Sequence, residues 1–278
     1  GVSLLFSAKA AANHGQLDEA RLILTQFRDQ HPDQADYANT LLAEWLIISA
    51  EIDEAKSTLL ALNNQSSRSL QLLSKVYSYQ SDWSALYALL PQIKRQSGMD
   101  KDRLATLQID CYCGLLSMPE KDLPASARAN KVQAVWSEIP RNLRQDSALI
   151  CGYVRALNAA DEGEKALSIL SKALKVQWQQ GLVEAFGGLK LKDATKQLAQ
   201  GENWLAMHPK DADLLLALGR ICRHMGFLGK AKDYLKSTIA ISPSATAYAE
   251  LAEVLALLGD SASSSKIYRQ GLLASVPT

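Results

Sequence analysis

Residues 212–245 read ADLLLALGRICRHMGFLGKAKDYLKSTIAISPSA, and this stretch decides the fold. Leu215, Leu218 and Cys222 recur at helical intervals and make one apolar stripe. Gly219 has no Cβ and lets a second helix come close, and Gly226 suits a tight turn. Ala231 is small where two helices would cross. Leu235 follows one turn later, and Pro243 stops the second helix. The spacing predicts two antiparallel helices with a turn at Gly226.

Leu215, Leu218, Gly219, Cys222, Gly226, Ala231, Leu235 and Pro243 fall in the slots of a tetratricopeptide repeat, a helix–turn–helix unit of about 34 residues. Leu and Cys stand where its pattern favours aromatic residues. One such unit cannot bury its apolar face alone, so neighbours are predicted. Residues 1–34 carry Leu4, Ala8, Ala11, Gly15, Ala20, Leu24, Phe27 and Pro32 in the same slots. A second unit follows from Tyr37 to Leu62. Further matches run from Ile150 to Ala173 and from Tyr248 to Tyr268. The fold class is therefore all-α: a solenoid of stacked antiparallel helix pairs wound as a right-handed superhelix.

The organisation is read as one continuous solenoid, with repeat units at 1–95, a divergent helical pair at 96–146 and repeat units again at 147–278. Several details are predicted within it. Asp18 caps the second helix, and Pro91 kinks or breaks a helix that opens at Asp82-Trp83. Residues 118–124 form a loop, and Pro140 ends the helix before it. Residues 177–192, with Gly181, Gly187 and Gly188, form an irregular connector. Asp193 caps the helix after that connector. Four serines (Ser261, Ser263, Ser264 and Ser265) make the last helix a polar cap.

Thirty basic against 29 acidic residues leave a net charge of +1. That balance lacks the basic excess of a nucleic-acid-binding protein. With 6% aromatic residues, base-stacking platforms are also excluded. Cys111, Cys113, Cys151 and Cys222 sit on apolar helical faces and read as small core hydrophobes. Two positions apart on a helix, Cys111 and Cys113 point about 200° away from each other and make a poor metal pair. No apolar run reaches the length of a membrane span.

The order of these features resembles the C-terminal part of the HemY family. The segments that carry the likeness are LQLLSKVYSYQSDWSALYALLPQIKR at 70–95, VWSEIPRNLRQD at 135–146 and YAELAEVLALLGDSASSSKIYRQGLL at 248–273. The resemblance implies a proteobacterial inner-membrane protein linked to late haem biosynthesis. It implies anchoring by two membrane helices in an N-terminal segment ahead of Gly1, with the soluble domain on the cytoplasmic side. It brings no catalytic residue, and the chain lacks the G-x-G-x-x-G fingerprint of the flavin enzyme that shares the name.

No motif for catalysis is present: no G-x-S-x-G, no H-E-x-x-H, no nucleotide loop. The chain reads as a non-enzyme with no cofactor. Paired carboxylates at Asp18-Glu19, Asp53-Glu54 and Asp161-Glu162 complement helix N-termini. His31 and His208 read as solvated helix ends. In a curved stack, the first helices of each pair line a groove. The residue after the glycine slot faces it, namely Lys9, Glu44, Lys75, Arg155, Arg220 and Glu253. The candidate partner-binding residues are Lys9, Asn13, Lys75, Tyr79, Arg155, Arg220, Arg223 and His224. The predicted partner is an acidic or extended segment of another protein, with haem-pathway enzymes or membrane proteins implied by the resemblance. The alternatives are a haem or porphyrin carrier or sensor binding in the groove, and a general peptide-binding module.

Overall fold

The computed structural model of the protein describes residues 2–96, 98–118 and 123–274. Among the described residues the regular structure is helical, with no strand. In chain order the helices are α1 (Val2–Asn13), α2 (Leu17–Gln30), α3 (Ala35–Ile48), α4 (Ile52–Leu60), α5 (Ser67–Tyr79), α6 (Trp83–Gln96), α7 (Lys101–Ser117) and α8 (Ala125–Glu138). They continue as α9 (Ser147–Ala159), α10 (Gly163–Val176), α11 (Gln180–Gly187), α12 (Thr195–Met207), α13 (Ala212–His224), α14 (Leu228–Ile241), α15 (Ala245–Leu257) and α16 (Ser261–Ala274). A 3-10 turn at Pro32–Gln34 joins α2 to α3.

The chain divides into two compact units, Gly1–Leu115 and Leu116–Thr278. The first holds the pairs α1/α2, α3/α4 and α5/α6, followed by α7. One cluster centres on Ala8, Leu24, Phe27 and Trp45. Another runs through Leu46, Leu59, Leu70, Leu73, Leu86 and Ile93 and includes Cys111 of α7, whose thiol donates to the Trp83 carbonyl at 3.6 Å. The second unit opens with α8, where Trp136 stacks on Tyr153 of α9 at 4.1 Å. The pairs α9/α10, α13/α14 and α15/α16 follow, with α11 and α12 both packed on α13. The helices that the sequence sets apart at 96–146 are thus divided, α7 up to Leu115 with the first unit and α8 with the second.

One turn closes six of these hairpins. Gly15, Ala50, Ser81, Asp161, Gly226 and Gly259 all have φ between 54° and 85°. In each case the next residue's amide donates back to a carbonyl five positions earlier, as from Phe227 to Cys222 (2.8 Å), Glu51 to Leu46 (2.8 Å) and Asp82 to Tyr77 (2.9 Å). This is the helix-ending arrangement that satisfies otherwise orphaned carbonyls. The predicted packing of the 212–245 unit follows suit. Leu235 is fully buried, and a Cβ on Gly219 would lie 2.7 Å from its Cγ.

Several details differ from those predicted. Asp18 does not cap α2. The helix starts at Leu17, and Asp18 lies in its first turn, where its charge still suits the dipole. Pro91 does not end its helix, since α6 continues to Gln96 with Leu90 and Ile93 buried on either side of the proline. Residues 177–192 are not an irregular connector; they contain α11, packed between α9 and α13. A Cβ at Gly187 would lie 2.6 Å from the Ala217 Cβ, so the glycine that blurs the helical pattern is what lets the two helices touch. The cap on α12 is shifted: Asp193 accepts from the Thr195 amide at 2.9 Å, while Ala194 occupies the cap position. Ile139, before Pro140, is extended and ends α8 as predicted. The outer surface of α16 is less polar than its serines suggest. Ser264 is buried, donating to the Ala252 carbonyl at 2.8 Å, and Tyr268, Leu272 and Leu273 are exposed. The predicted 118–124 loop falls largely on residues outside those described.

Candidate functional site

The first helices of successive pairs carry the predicted binding positions, and the structure sorts them into two kinds. Lys9 and Asn13 are exposed on α1, Lys75 and Tyr79 on α5, and Arg155 on α9. Among the described residues the side chains of Lys9, Lys75 and Arg155 form no ion pair. Arg220 and Arg223 of α13 do. Arg220 Nε meets Glu250 Oε1 at 2.7 Å, and Arg223 reaches Glu250 Oε2 at 3.0 Å and Glu253 Oε2 at 2.7 Å. Glu250 is only 14% exposed, so these pairs hold α13 to α15 as much as they decorate a surface. Glu44 of α3 is likewise paired, with Arg68. His224 is exposed at the end of α13.

Within the second unit, Arg155 and Arg220 come together at a cleft of about 310 Å³. Val154, Asn158, Glu184, Ala185, Gly188 and Leu189 complete its lining. Three contacts fix α11 as one wall. Asn158 Nδ2 donates to the Gly188 carbonyl at 3.3 Å, and its Oδ1 accepts from the Lys190 amide at 2.9 Å. The Cys151 thiol donates to the Gly181 carbonyl at 3.3 Å. The cleft is not uniformly basic. Glu184 stands in it, and Asp213 on the adjoining α13 has its carboxyl pushed up by burial and then by the charges of Asp211 and Glu184. Cys151 is also pushed up by burial. Arg155 and Glu184 act on it with opposite sign, which places both charges near this thiol.

Sequence reasoning found Arg155 and Arg220 but missed Glu184, Ala185 and Leu189, because these lie in the glycine-containing stretch read as irregular. The alternating turns of helix in LVEAF at 182–186 were the available signal.

The histidines read as solvated helix ends have aromatic neighbours. His31 lies 5.0 Å from the Phe27 ring. His208 stacks on Trp178 at 4.1 Å, and the Trp178 indole donates to Asp211 at 2.7 Å. Asp211 in turn caps α13 by accepting from the Leu214 amide. Trp178, Trp204 and Phe186 form an edge-on aromatic chain under α11. Burial pushes the Cys111 thiol up to about 12 and the Cys222 thiol up to about 11. These are protonated core groups, not nucleophiles. Among the described residues no group of three or more His, Cys, Asp and Glu is placed to hold a metal ion. No described helix is long and apolar enough to cross a membrane.

Helix pairs closed by one recurrent turn, with polar positions presented by the first helix of each pair, define a helical repeat protein of the tetratricopeptide-repeat type. In sequence the chain is HemY-like: it is 24% identical over 288 residues to Protein HemY of Escherichia coli strain K12, covering 98% of this chain and 68% of that protein. The same figures hold for Protein HemY of Shigella flexneri. No family model matches the chain. Among solved structures it is similar to a tetratricopeptide repeat protein from Parabacteroides merdae, with a TM-score of 0.40 and 11% identity over 99% of this chain and 93% of that one. It is also similar to a chain of the APC/C hetero-tetramer Cut9-Hcn1, with a TM-score of 0.41 and 14% identity over 97% of this chain and 59% of that one.

Proposed function

We propose that this chain is a non-catalytic scaffold that docks segments of partner proteins on the first helices of its repeats, and that its partners include membrane-bound enzymes of the haem pathway. The observation that carries the docking role is the second unit's cleft. It is open and partly apolar, and it presents Arg155 unpaired beside an arginine held by Glu250. An exposed cation with no ion-pair partner among the described residues is available to a ligand. The haem link and the membrane association rest on the similarity to HemY.

The test is capture from detergent-solubilised membranes by the tagged full-length protein, with bound proteins identified by mass spectrometry. The variant combines Lys9→Glu, Lys75→Glu and Arg155→Glu. It leaves Arg220 alone, because reversing that charge would unfasten α13 from α15. Haem-pathway enzymes enriched by the wild type and lost from the triple variant support the proposal, and unchanged capture overturns it. Titration with haem and protoporphyrin is the parallel arm. A saturable one-to-one Soret shift would replace the scaffold with a carrier.

A further inference from the structure

The cleft between α9, α11 and α13 has a polarity of its own. Arg155 and Glu184 line it on two different helices, without an ion pair of 4 Å or less between them. Both side chains are on exposed residues, and neither is used to hold the fold in the way that Asn158, Cys151 and Arg220 are. Among the described residues, the Glu184 carboxylate accepts one hydrogen bond, at 3.2 Å from Gln180 one turn away on its own helix. Val154, Ala185 and Leu189 line the same cleft and give it apolar surface. A cleft of about 310 Å³ is at the small end of ligand sites. It has room for a short step of peptide.

We infer that this cleft is a subsite for a dipolar peptide step, an acidic side chain next to a basic one, with the acid on Arg155 and the base on Glu184. The inference rests on the docking role proposed above and adds the chemistry of the segment that docks. Arg155 offers a fork of N–H donors matched to a carboxylate. Glu184 repels a purely acidic ligand and accepts from a cation beside it. A small dicarboxylate such as glutarate carries negative charge with no cation for Glu184, so it is the weaker ligand.

The probes are acetyl-Asp-Lys-amide, acetyl-Asp-Gln-amide, acetyl-Asn-Gln-amide and glutarate. Each is titrated into the full chain with its valine and leucine methyl groups isotopically labelled, and the Val154 and Leu189 signals report the cleft. The expected order of affinity is Asp-Lys, then Asp-Gln, then Asn-Gln, with steps of about three- to tenfold, as for exposed charge-assisted contacts. Arg155→Gln removes the advantage of Asp over Asn, and Glu184→Gln removes that of Lys over Gln. Both residues are exposed, so neither change disturbs the core. Equal shifts from all three peptides, preferences that survive the matching variant, or no shift of either signal would each overturn the subsite. Glutarate binding as tightly as Asp-Lys would overturn the peptide as occupant. If the subsite fails while the triple variant still loses its partners from membranes, the scaffold stands and only the chemistry assigned to this cleft falls.

Discussion

Ala50, Ser81 and Asp161 hold left-handed backbone at the hairpin position that is glycine at 15, 226 and 259. For a residue with a Cβ this conformation costs about 1–2 kcal/mol, whereas glycine loses roughly 0.5–1 kcal/mol through its freer unfolded chain. Ala50→Gly is therefore expected to stabilise the protein by about 0.5–1 kcal/mol, read as a higher urea midpoint. Asp161→Gly is expected to be nearly neutral, because aspartate tolerates the left-handed region better than alanine does. It also loses a loose 4.0 Å pairing with Arg128. At this scale the sequence reveals positions better than partners. The repeat register pointed to Arg220 and Arg223 as outward-facing groups, and they do lie on the first helix of their pair. It could not show that Glu250 and Glu253 come from the following repeat to pair with them. That contact depends on how one hairpin is seated on the next, which no short-range pattern encodes.

At the scale of elements, helical spacing was legible wherever apolar residues recur against polar ones, and α13, α14 and α15 lie where the repeat pattern puts them. It failed where a residue's local preference opposed its packing. Gly187 lowers helix propensity, yet close approach to Ala217 is what seats α11. Pro91 also resists its helix: the ring removes an amide and crowds the carbonyl one turn back, a cost of about 3 kcal/mol in a helix interior. Burial of Leu86, Leu90 and Ile93 on the same helix outweighs it. Pro91 is itself exposed, so replacing it sacrifices no core contact. Pro91→Ala is expected to raise stability by about 2–2.5 kcal/mol, the relief of the helix less the roughly 0.4–1 kcal/mol that proline gains by stiffening the unfolded chain. Urea titration followed by circular dichroism measures it. A loss of stability would show that the proline sets a bend on which α6 depends.

For the molecule as a whole, the two units each carry their own buried core, and the cysteines are distributed so as to report on them separately. Cys111 lies in the first, and Cys151 and Cys222 in the second. All three are buried, and burial raises their thiol pKa values, so alkylation at neutral pH requires opening of the unit around them. In a stack where each repeat touches mainly its neighbours, a local lesion should weaken nearby repeats most. Gly187→Ala supplies such a lesion, since its new methyl would meet both the Cα and the Cβ of Ala217 at under 3 Å. Overpacking of this kind costs about 1–3 kcal/mol. The urea midpoints for labelling Cys151 and Cys222 are expected to fall together, while that of Cys111 stays where it is in the wild type. Mass spectrometry of the alkylated peptides resolves the three sites in one experiment. An equal fall at Cys111 would show instead that the units open as a single cooperative body, and the repeat stack would then have to be treated as one continuous solenoid in energy as well as in sequence.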